Sequence, residues 1–207
     1  MAGAAARATT ARTRREASAD DTRRRITIAA IELVQQLGWR AATVERIAER
    51  AGVAKGTFFV HFPNKEALVE TLVGIQVDGA RKARAKSDGG SPVQRLRETV
   101  LTLGRHAGAS IELSRAVLVS TLQSPDLAKS VDLMFEGVYE LMIADAREAL
   151  ERGLLAGIEA ERLAGLLMAS YLGAALHVTT SPRARPFDEV LTPLVDATLA
   201  AFTRRKR

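Results

Sequence analysis

Cationic side chains, which can pair with phosphate oxygens, are concentrated in the first third of the chain. Residues 1–65 contain twelve Lys and Arg against six Asp and Glu. The remaining residues contain equal numbers of bases and acids, so the net charge of +6 belongs to the first third. A solvated basic tail would explain part of it, but Arg46, Lys55 and Lys65 lie among residues patterned like a folded domain. The charge therefore favours a polyanionic partner for residues 1–65.

Other reactive side chains give no comparable signal. The chain has no Cys, which excludes disulfides, thiol catalysis and Cys-based metal sites. Its three His (His61, His106 and His177) are dispersed, and no motif has the spacing of metal ligands. A helical enzyme would need a convergent acid–base or metal cluster, and none is apparent. We therefore expect a protein that is not an enzyme and that carries no metal and no cofactor.

The residues after Trp39 have the pattern of two short helices joined by a tight turn. Thr43 can cap the first helix, and Gly52 can adopt the positive φ that the turn requires. The second helix spans about 54–61 and stops before Pro63. Two short helices with small residues and a glycine at the turn predict a helix-turn-helix.

Half of the six Phe residues lie within this second helix or directly after it. Phe58 and Phe62 are four positions apart and share one face, so we assign both to the core. Phe59 points elsewhere, to the side that carries Lys55 and Gly56. Gly56 costs about 1 kcal/mol of helix stability relative to Ala, a cost that makes sense if its backbone approaches another surface closely. This side is the candidate DNA-binding face.

The whole chain is predicted to be all-α. Residues 1–20 are low-complexity Ala, Thr and Arg and are expected to be a disordered basic arm, followed by a helix-turn-helix domain at 21–66 and a larger domain at 67–207. A connecting helix at about 64–86 joins the two domains. Apolar periodicity predicts further helices at about 93–108, 111–123, 126–153, 159–180 and 187–204. No apolar run has the length of a membrane span, and the N-terminus lacks the apolar core of a secretory signal.

The stretch TVERIAERAGVAKGTFFVHFPNKEAL resembles the DNA-binding signature of the TetR family of bacterial transcriptional regulators, over about residues 22–70. The resemblance implies a three-helix DNA-binding head, a helical ligand-binding and dimerisation domain, and a cytoplasmic, nucleoid-associated regulator in bacteria. It implies a homodimer, a double-stranded DNA operator and a small-molecule effector, with no membrane partner. The expected activity is repression, ended when a small, largely apolar ligand binds the C-terminal domain.

Carried over by position, the resemblance implies seven DNA-binding residues: Thr43, Lys55, Gly56, Thr57, Phe59, His61 and Lys65. Thr43, His61 and Lys65 would meet phosphates, and Thr57 would lie along the groove. The family often has Ser where Ala54 stands, so this recognition helix should lack a side-chain cap. It usually has Tyr where Phe59 stands, so one phosphate-binding hydroxyl is missing. The arginines at 12, 14, 15 and 23–25 are expected either to enter the minor groove or to neutralise phosphates.

Ligand-binding candidates in the larger domain follow from helix position. They are His106, Phe135, Tyr139, Met142 and His177, although a stripe of Met and aromatic residues is more often core than pocket. The last two helices are rich in small residues and Leu, which suits a dimer interface of two helices from each subunit, or burial within one chain. Two other functions remain open: a ligand-independent architectural DNA-binding protein, and a helical scaffold that has lost DNA binding.

Overall fold

The computed structural model describes residues 2–87, 89–181, 183 and 185–204, with side chains described from residue 17 onward. This part of the chain forms nine α-helices and no strand, apart from an isolated bridge between Leu155 and Thr203. The helices are α1 (Ala2–Leu37), α2 (Val44–Ala51), α3 (Lys55–His61), α4 (Ala67–Lys86), α5 (Pro92–Gly108), α6 (Ile111–Gln123), α7 (Pro125–Glu151), α8 (Ala160–Thr180) and α9 (Phe187–Phe202). The predicted all-α class is confirmed, and the five predicted C-terminal helices lie within two residues of α5 to α9.

The first helix is longer than the sequence indicated. Residues 2–20, expected to be a disordered arm, lie in α1, which continues without a break to Leu37. A helix suits the composition of this stretch, because Ala and Arg are among the best helix formers and it contains no Gly after residue 3 and no Pro.

The chain divides into two compact units, residues 1–68 and 69–207. In the first unit, Ile26 of α1, Ile47 of α2 and Phe58 of α3 are fully buried, as is Phe62 directly after α3. Burying side chains of this size stabilises a fold by about 1.5–3 kcal/mol each. Two phenylalanines thus give a small three-helix unit much of its apolar core.

The turn between α2 and α3 has the predicted chemistry. The Thr43 hydroxyl accepts a hydrogen bond from the Arg46 amide at 3.4 Å, and Gly52 has a φ of 65°. Arg25 of α1 donates through Nη2 to the carbonyl oxygens of Ala51 and Gly52, at 2.5 and 3.2 Å. A charge-assisted bond of this kind contributes about 1.5–3 kcal/mol, so the turn is fixed by a residue 26 positions earlier.

A buried ion cluster ties α4, α5 and α7 together in the second unit. The Asp145 carboxylate, 2% exposed, accepts from Arg84 at 2.6 and 2.7 Å and from Arg95 at 2.8 Å. Arg95 also pairs with Glu148 and donates to the Gly90 carbonyl at 2.7 Å. Because each buried charge has partners, the cluster fixes the relative position of these helices, and removing one member would leave a charge uncompensated.

The α8 helix is long and apolar enough to cross a membrane, by length and composition alone. No helix of this kind was expected from the sequence. In the second unit, however, α8 contacts α5, α6, α7 and α9, and Leu163, Leu167 and Tyr171 are buried on its inner side. Its apolar character is therefore explained in part by packing between helices.

Candidate nucleic-acid interface

The α3 helix is short, and its inner side is anchored by aromatic rings. Phe58 and Phe62 are both 0% exposed, and their ring centroids lie 5.6 Å apart. The helix begins after Ala54, which makes no side-chain capping bond, as expected from the sequence. It ends at His61, two residues before Pro63. The assignment of both rings to the core is confirmed.

The opposite side of α3 is open. Lys55, Gly56 and Phe59 are exposed, and Thr57 is half-buried. A Cβ added at Gly56 would meet no atom within 4 Å, so the glycine leaves room on this surface. Val60, which the sequence analysis overlooked, is 81% exposed and lies next to Phe59. Helical spacing predicts this exposure, because Val60 is two positions from the buried Phe58 and therefore lies on the far side of the helix.

Lys55 is not free on this face. Its Nζ lies 2.6 Å from Oε1 of Glu45, in the first turn of α2. The hydrogen bond from Lys55 lowers the pKa of Glu45 to about 2, with help from its own backbone amide and Thr43. Both partners are more than half exposed, and water screens an exposed pair of this kind, so it contributes little to stability. Lys55 can therefore leave Glu45 for a DNA acceptor at little cost.

His61 and Lys65 are involved in contacts within the unit. The His61 carbonyl oxygen accepts from Nη1 of Arg23 at 2.6 Å, and the Arg23 guanidinium lies 4.3 Å from the centre of the Phe62 ring. Lys65 donates to the Trp39 carbonyl oxygen, with its Nζ 4.0 Å from the centre of the Trp39 ring. Partial burial lowers the pKa of Lys65, with Glu66 opposing the shift. Lys65 thus holds the end of α1 to the segment before α4.

Two of the arginines expected at DNA have internal roles as well. Arg23 supports His61 and Phe62, and Arg25 supports the α2–α3 turn. The sequence could not show this, because their partners are 26 to 39 positions away. The side chains of Arg12, Arg14 and Arg15 lie outside the described side chains.

In the second unit, a cavity of about 90 Å³ lies among α4, α5, α6, α7 and α8. Of the five predicted ligand-binding residues, only Phe135 lines it. Met142 is fully buried in the core, and Tyr139 donates to the Glu161 carbonyl at 3.0 Å. His106 and His177 are exposed, with the His106 ring lying against Gly79. These four positions face away from the cavity because neighbouring positions on one helix point in different directions, which helix membership alone does not reveal.

The cavity walls come from residues that the sequence analysis did not select. They are Val73, Gln76, Ala107, Ser114, Val117, Leu118, Thr121, Val131, Phe135, Tyr171, Leu172 and Ala175. Tyr171 is the largest of these, and it donates to Oε1 of Gln76 at 3.1 Å. Within the described residues, no group of three or more His, Cys, Asp and Glu side chains is placed to hold a metal ion.

Comparison with known proteins points to one family. Residues 26–72 match the sequence model of bacterial regulatory proteins of the tetR family. The chain is 27% identical to the HTH-type transcriptional regulator YvkB of Bacillus subtilis over 161 residues, covering 75% of this chain and 82% of YvkB. It is 36% identical to the HTH-type transcriptional repressor KstR of Mycolicibacterium smegmatis over 87 residues, covering 41% and 43% of the two chains. Among solved structures, Thermus thermophilus FadR, a TetR family transcriptional repressor in complex with lauroyl-CoA, superposes with a TM-score of 0.67 at 26% identity, covering 89% and 97%.

Proposed function

This chain belongs to the TetR family of bacterial transcriptional regulators, and on that premise we propose that it is a repressor. The proposed homodimer binds operator DNA and leaves it when a small, largely apolar ligand binds the second unit. As a family member it is a regulator and not an enzyme. The observation that carries the proposal is α3, which is anchored by Phe58 and Phe62 and presents Lys55, Gly56 and Phe59 outward.

In this proposal α3 enters the major groove of the operator. Lys55 exchanges Glu45 for the acceptor atoms of a guanine, and Phe59 and the Thr57 methyl contact thymine methyl groups. Thr43, His61 and Lys65 lie toward the phosphates, as the family resemblance implies. Lys65 already has Trp39 as a partner, so its part is chiefly to position the chain beside the DNA. Gly56 lets the backbone come close to the groove.

Dimerisation is proposed through the outer surface of α8 and α9. Leu166, Leu172, Leu176 and Leu194 are 43–55% exposed there, while other leucines of the same helices are buried. Apolar side chains exposed to water in this way support the proposal that the surface is covered by a second chain. A single short recognition helix offers few base contacts, so two heads on one dimer would read half-sites about 34 Å apart.

The remaining functional alternative is a DNA-binding architectural protein that responds to no ligand. The cavity in the second unit supports the regulator, because an architectural protein has no need of one. The two differ in a measurable way: the repressor leaves a specific sequence when effector is added, whereas the architectural protein binds many sequences and ignores small molecules. The proposed site of action is the bacterial cytoplasm, at the nucleoid.

The test is a gel-shift on the DNA upstream of the protein's own gene, with Lys55→Ala and Lys129→Ala as a matched pair. Both lysines are exposed and both substitutions remove one charge, but Lys129 lies on α7. We expect Lys55→Ala to weaken specific binding by about 1–3 kcal/mol and Lys129→Ala to have little effect. Equal affinities for Lys55→Ala and the unsubstituted protein would refute the assignment of α3 as the recognition helix. Repeating the assay with candidate small molecules tests release.

A further inference from the structure

An acidic side chain, Glu45, lies on the face of the first unit that is assigned to DNA. Its Oε1 is 2.6 Å from Nζ of Lys55, and the pair joins the first turn of α2 to the first residue of α3. The side chains of Lys55 and Glu45 are 56% and 60% exposed, so neither is enclosed by the protein. A group outside the protein that Lys55 contacts is therefore within reach of Glu45 as well.

The Glu45 carboxylate is charged, and it is held from within α2 as well as by Lys55. Hydrogen bonds from Lys55, from its own backbone amide and from the Thr43 hydroxyl lower the pKa of Glu45 to about 2, so this group is ionised at neutral pH. The last two donors belong to the start of α2 and stay in place when Lys55 moves. Glu45 is thus a positioned acceptor that has no hydrogen to donate.

A carboxylate beside Lys55 affects which part of DNA this lysine can bind. A phosphate that approached the Lys55 ammonium would also bring its negative charge close to Glu45, and the two anions would repel each other. A guanine instead presents the neutral acceptors O6 and N7 in the major groove. The cytosine paired with that guanine presents its N4 amino group beside them, and this amino group is the donor that Glu and Asp side chains recognise.

The two members of the ion pair therefore match the two bases of one G·C pair. Guanine O6 and cytosine N4 are joined by a hydrogen bond of about 2.9 Å, and the Lys55 and Glu45 atoms are similarly spaced, at 2.6 Å. At an A·T pair the order of groups is reversed, because adenine presents an amino group in place of O6 and thymine presents O4 in place of the N4 amino group. Lys55 would then meet a donor, and Glu45 would meet an acceptor.

We propose that Glu45 is a specificity-determining residue, which accepts a hydrogen bond from the N4 amino group of a cytosine when Lys55 donates to the guanine paired with it. The inference rests on the proposed function in one respect, that α3 enters the major groove of the operator. It adds a second base-reading side chain, contributed by α2. It also assigns that side chain a chemistry opposite to that of the cationic residues around it, because Glu45 gains at one base pair what it loses near phosphates.

The experiment uses the full chain and an operator selected from random duplexes, with affinities measured by fluorescence anisotropy at fixed salt. Each cytosine of one half-site is replaced in turn by N4-methylcytosine. This base still pairs with guanine but carries a methyl group in place of the amino hydrogen that faces the major groove. We expect one replacement to weaken binding of the unsubstituted protein about 5- to 30-fold, the lower part of the range for one mismatched base pair.

Glu45→Ala should bind the methylated and unmethylated duplexes equally well at that position. On the unmethylated operator it should bind more weakly than the unsubstituted protein, although it removes a negative charge from a DNA-binding surface. Glu49→Ala is the control, because Glu49 is exposed on the same helix and carries the same charge one turn further along α2. This variant should keep both the cytosine preference and the affinity for the operator.

A cytosine preference that survives in Glu45→Ala would overturn the proposal, and so would the absence of any such preference in the unsubstituted protein. Tighter binding of every duplex by Glu45→Ala, the operator included, would also overturn it, because Glu45 would then act only by repelling phosphates. Lys55→Ala on the same duplexes separates this inference from the proposed function. If Lys55→Ala weakens operator binding while Glu45→Ala behaves like Glu49→Ala, α3 remains the recognition helix and only the role of Glu45 is refuted. Failure of the unsubstituted protein to select any sequence would refute both.

Discussion

Substituting Gly56 by Ala should stabilise the protein and weaken its binding to the operator at the same time. An added Cβ meets nothing within 4 Å, and the backbone of Gly56 does not require a positive φ, so Ala fits without strain. Ala is favoured over Gly inside a helix by about 1 kcal/mol. For a unit of this size, 1 kcal/mol corresponds to a rise of about 4–8 °C in the melting temperature of the first unit.

DNA binding should change in the opposite direction. If the backbone at Gly56 lies against the groove wall, the new methyl group occupies space that the DNA needs. Inserting a methyl group into a packed contact costs about 1–3 kcal/mol, which is a loss of about 5- to 150-fold in operator affinity. The measurements are circular-dichroism melts of the free protein and gel-shifts at fixed salt, because phosphate contacts make affinity strongly salt-dependent.

Gly52→Ala separates this effect from a general effect of losing a glycine. Gly52 has a φ of 65°, and an added Cβ would lie 3.1 Å from Nη2 of Arg25, so this variant should be destabilised. The prediction for Gly56→Ala is refuted if the variant melts higher and binds the operator as well as before. That result would mean that the backbone at Gly56 does not approach DNA. A lower melting temperature would instead show that the surface around Gly56 is not open.

Three further predictions concern the buried and exposed rings of α3, a buried and an exposed ion pair, and the pH dependence of stability. Phe58→Ala should destabilise the first unit by about 3–5 kcal/mol in urea unfolding, whereas Phe59→Ala, at a position 45% exposed, should cost far less and mainly weaken DNA binding. Asp145→Asn should lower the free energy of unfolding by about 3–5 kcal/mol, because it leaves buried arginines without their counter-charge. Asp196→Asn, in an exposed pair, should lower it by less than about 1 kcal/mol. Equal losses of stability in urea unfolding would contradict the burial argument. The folded pKa of Glu45, about 2, is below its ordinary value of 4.5, so its stabilising contribution is present above pH 4.5 and is lost as the pH falls toward 2. Glu45→Gln should remove that part of the acid dependence of stability. The measurement is the urea midpoint of unfolding at several values between pH 2 and 7.

The sequence was sufficient where structure depends on near neighbours. The Thr43 cap, the Gly52 turn and the shared face of Phe58 and Phe62 each involve residues within five positions of one another, and all three are present. Helix propensity is also local information, and the Ala- and Arg-rich residues 2–20 lie in α1.

The sequence was insufficient where partners are distant. The cavity is assembled from five helices, and only one of its twelve lining residues was among the predicted ligand-binding positions. The Asp145 cluster joins residues 50 and 61 positions apart, and no periodic pattern reports such a pairing. The predicted ligand-binding positions were chosen by residue type and helix, but the direction of a side chain on its helix decides whether it reaches a cavity.

The contacts around α3 also bear on how DNA affinity can arise. Lys55 has Glu45 as a partner before DNA arrives, so each phosphate or base contact that it makes is an exchange and not a net gain of one ion pair. Breaking the Lys55–Glu45 pair costs little free energy because the pair is exposed. Moving Lys65 away from Trp39 costs more, because its ammonium is partly buried over the Trp39 ring. In the proposed complex, affinity from one head would therefore be the sum of a few small exchanges and the fit of Phe59, Val60 and Gly56 against the groove. Tight binding requires two heads acting together, which is the physical reason to expect a dimer with the exposed leucines of α8 and α9 buried between the chains.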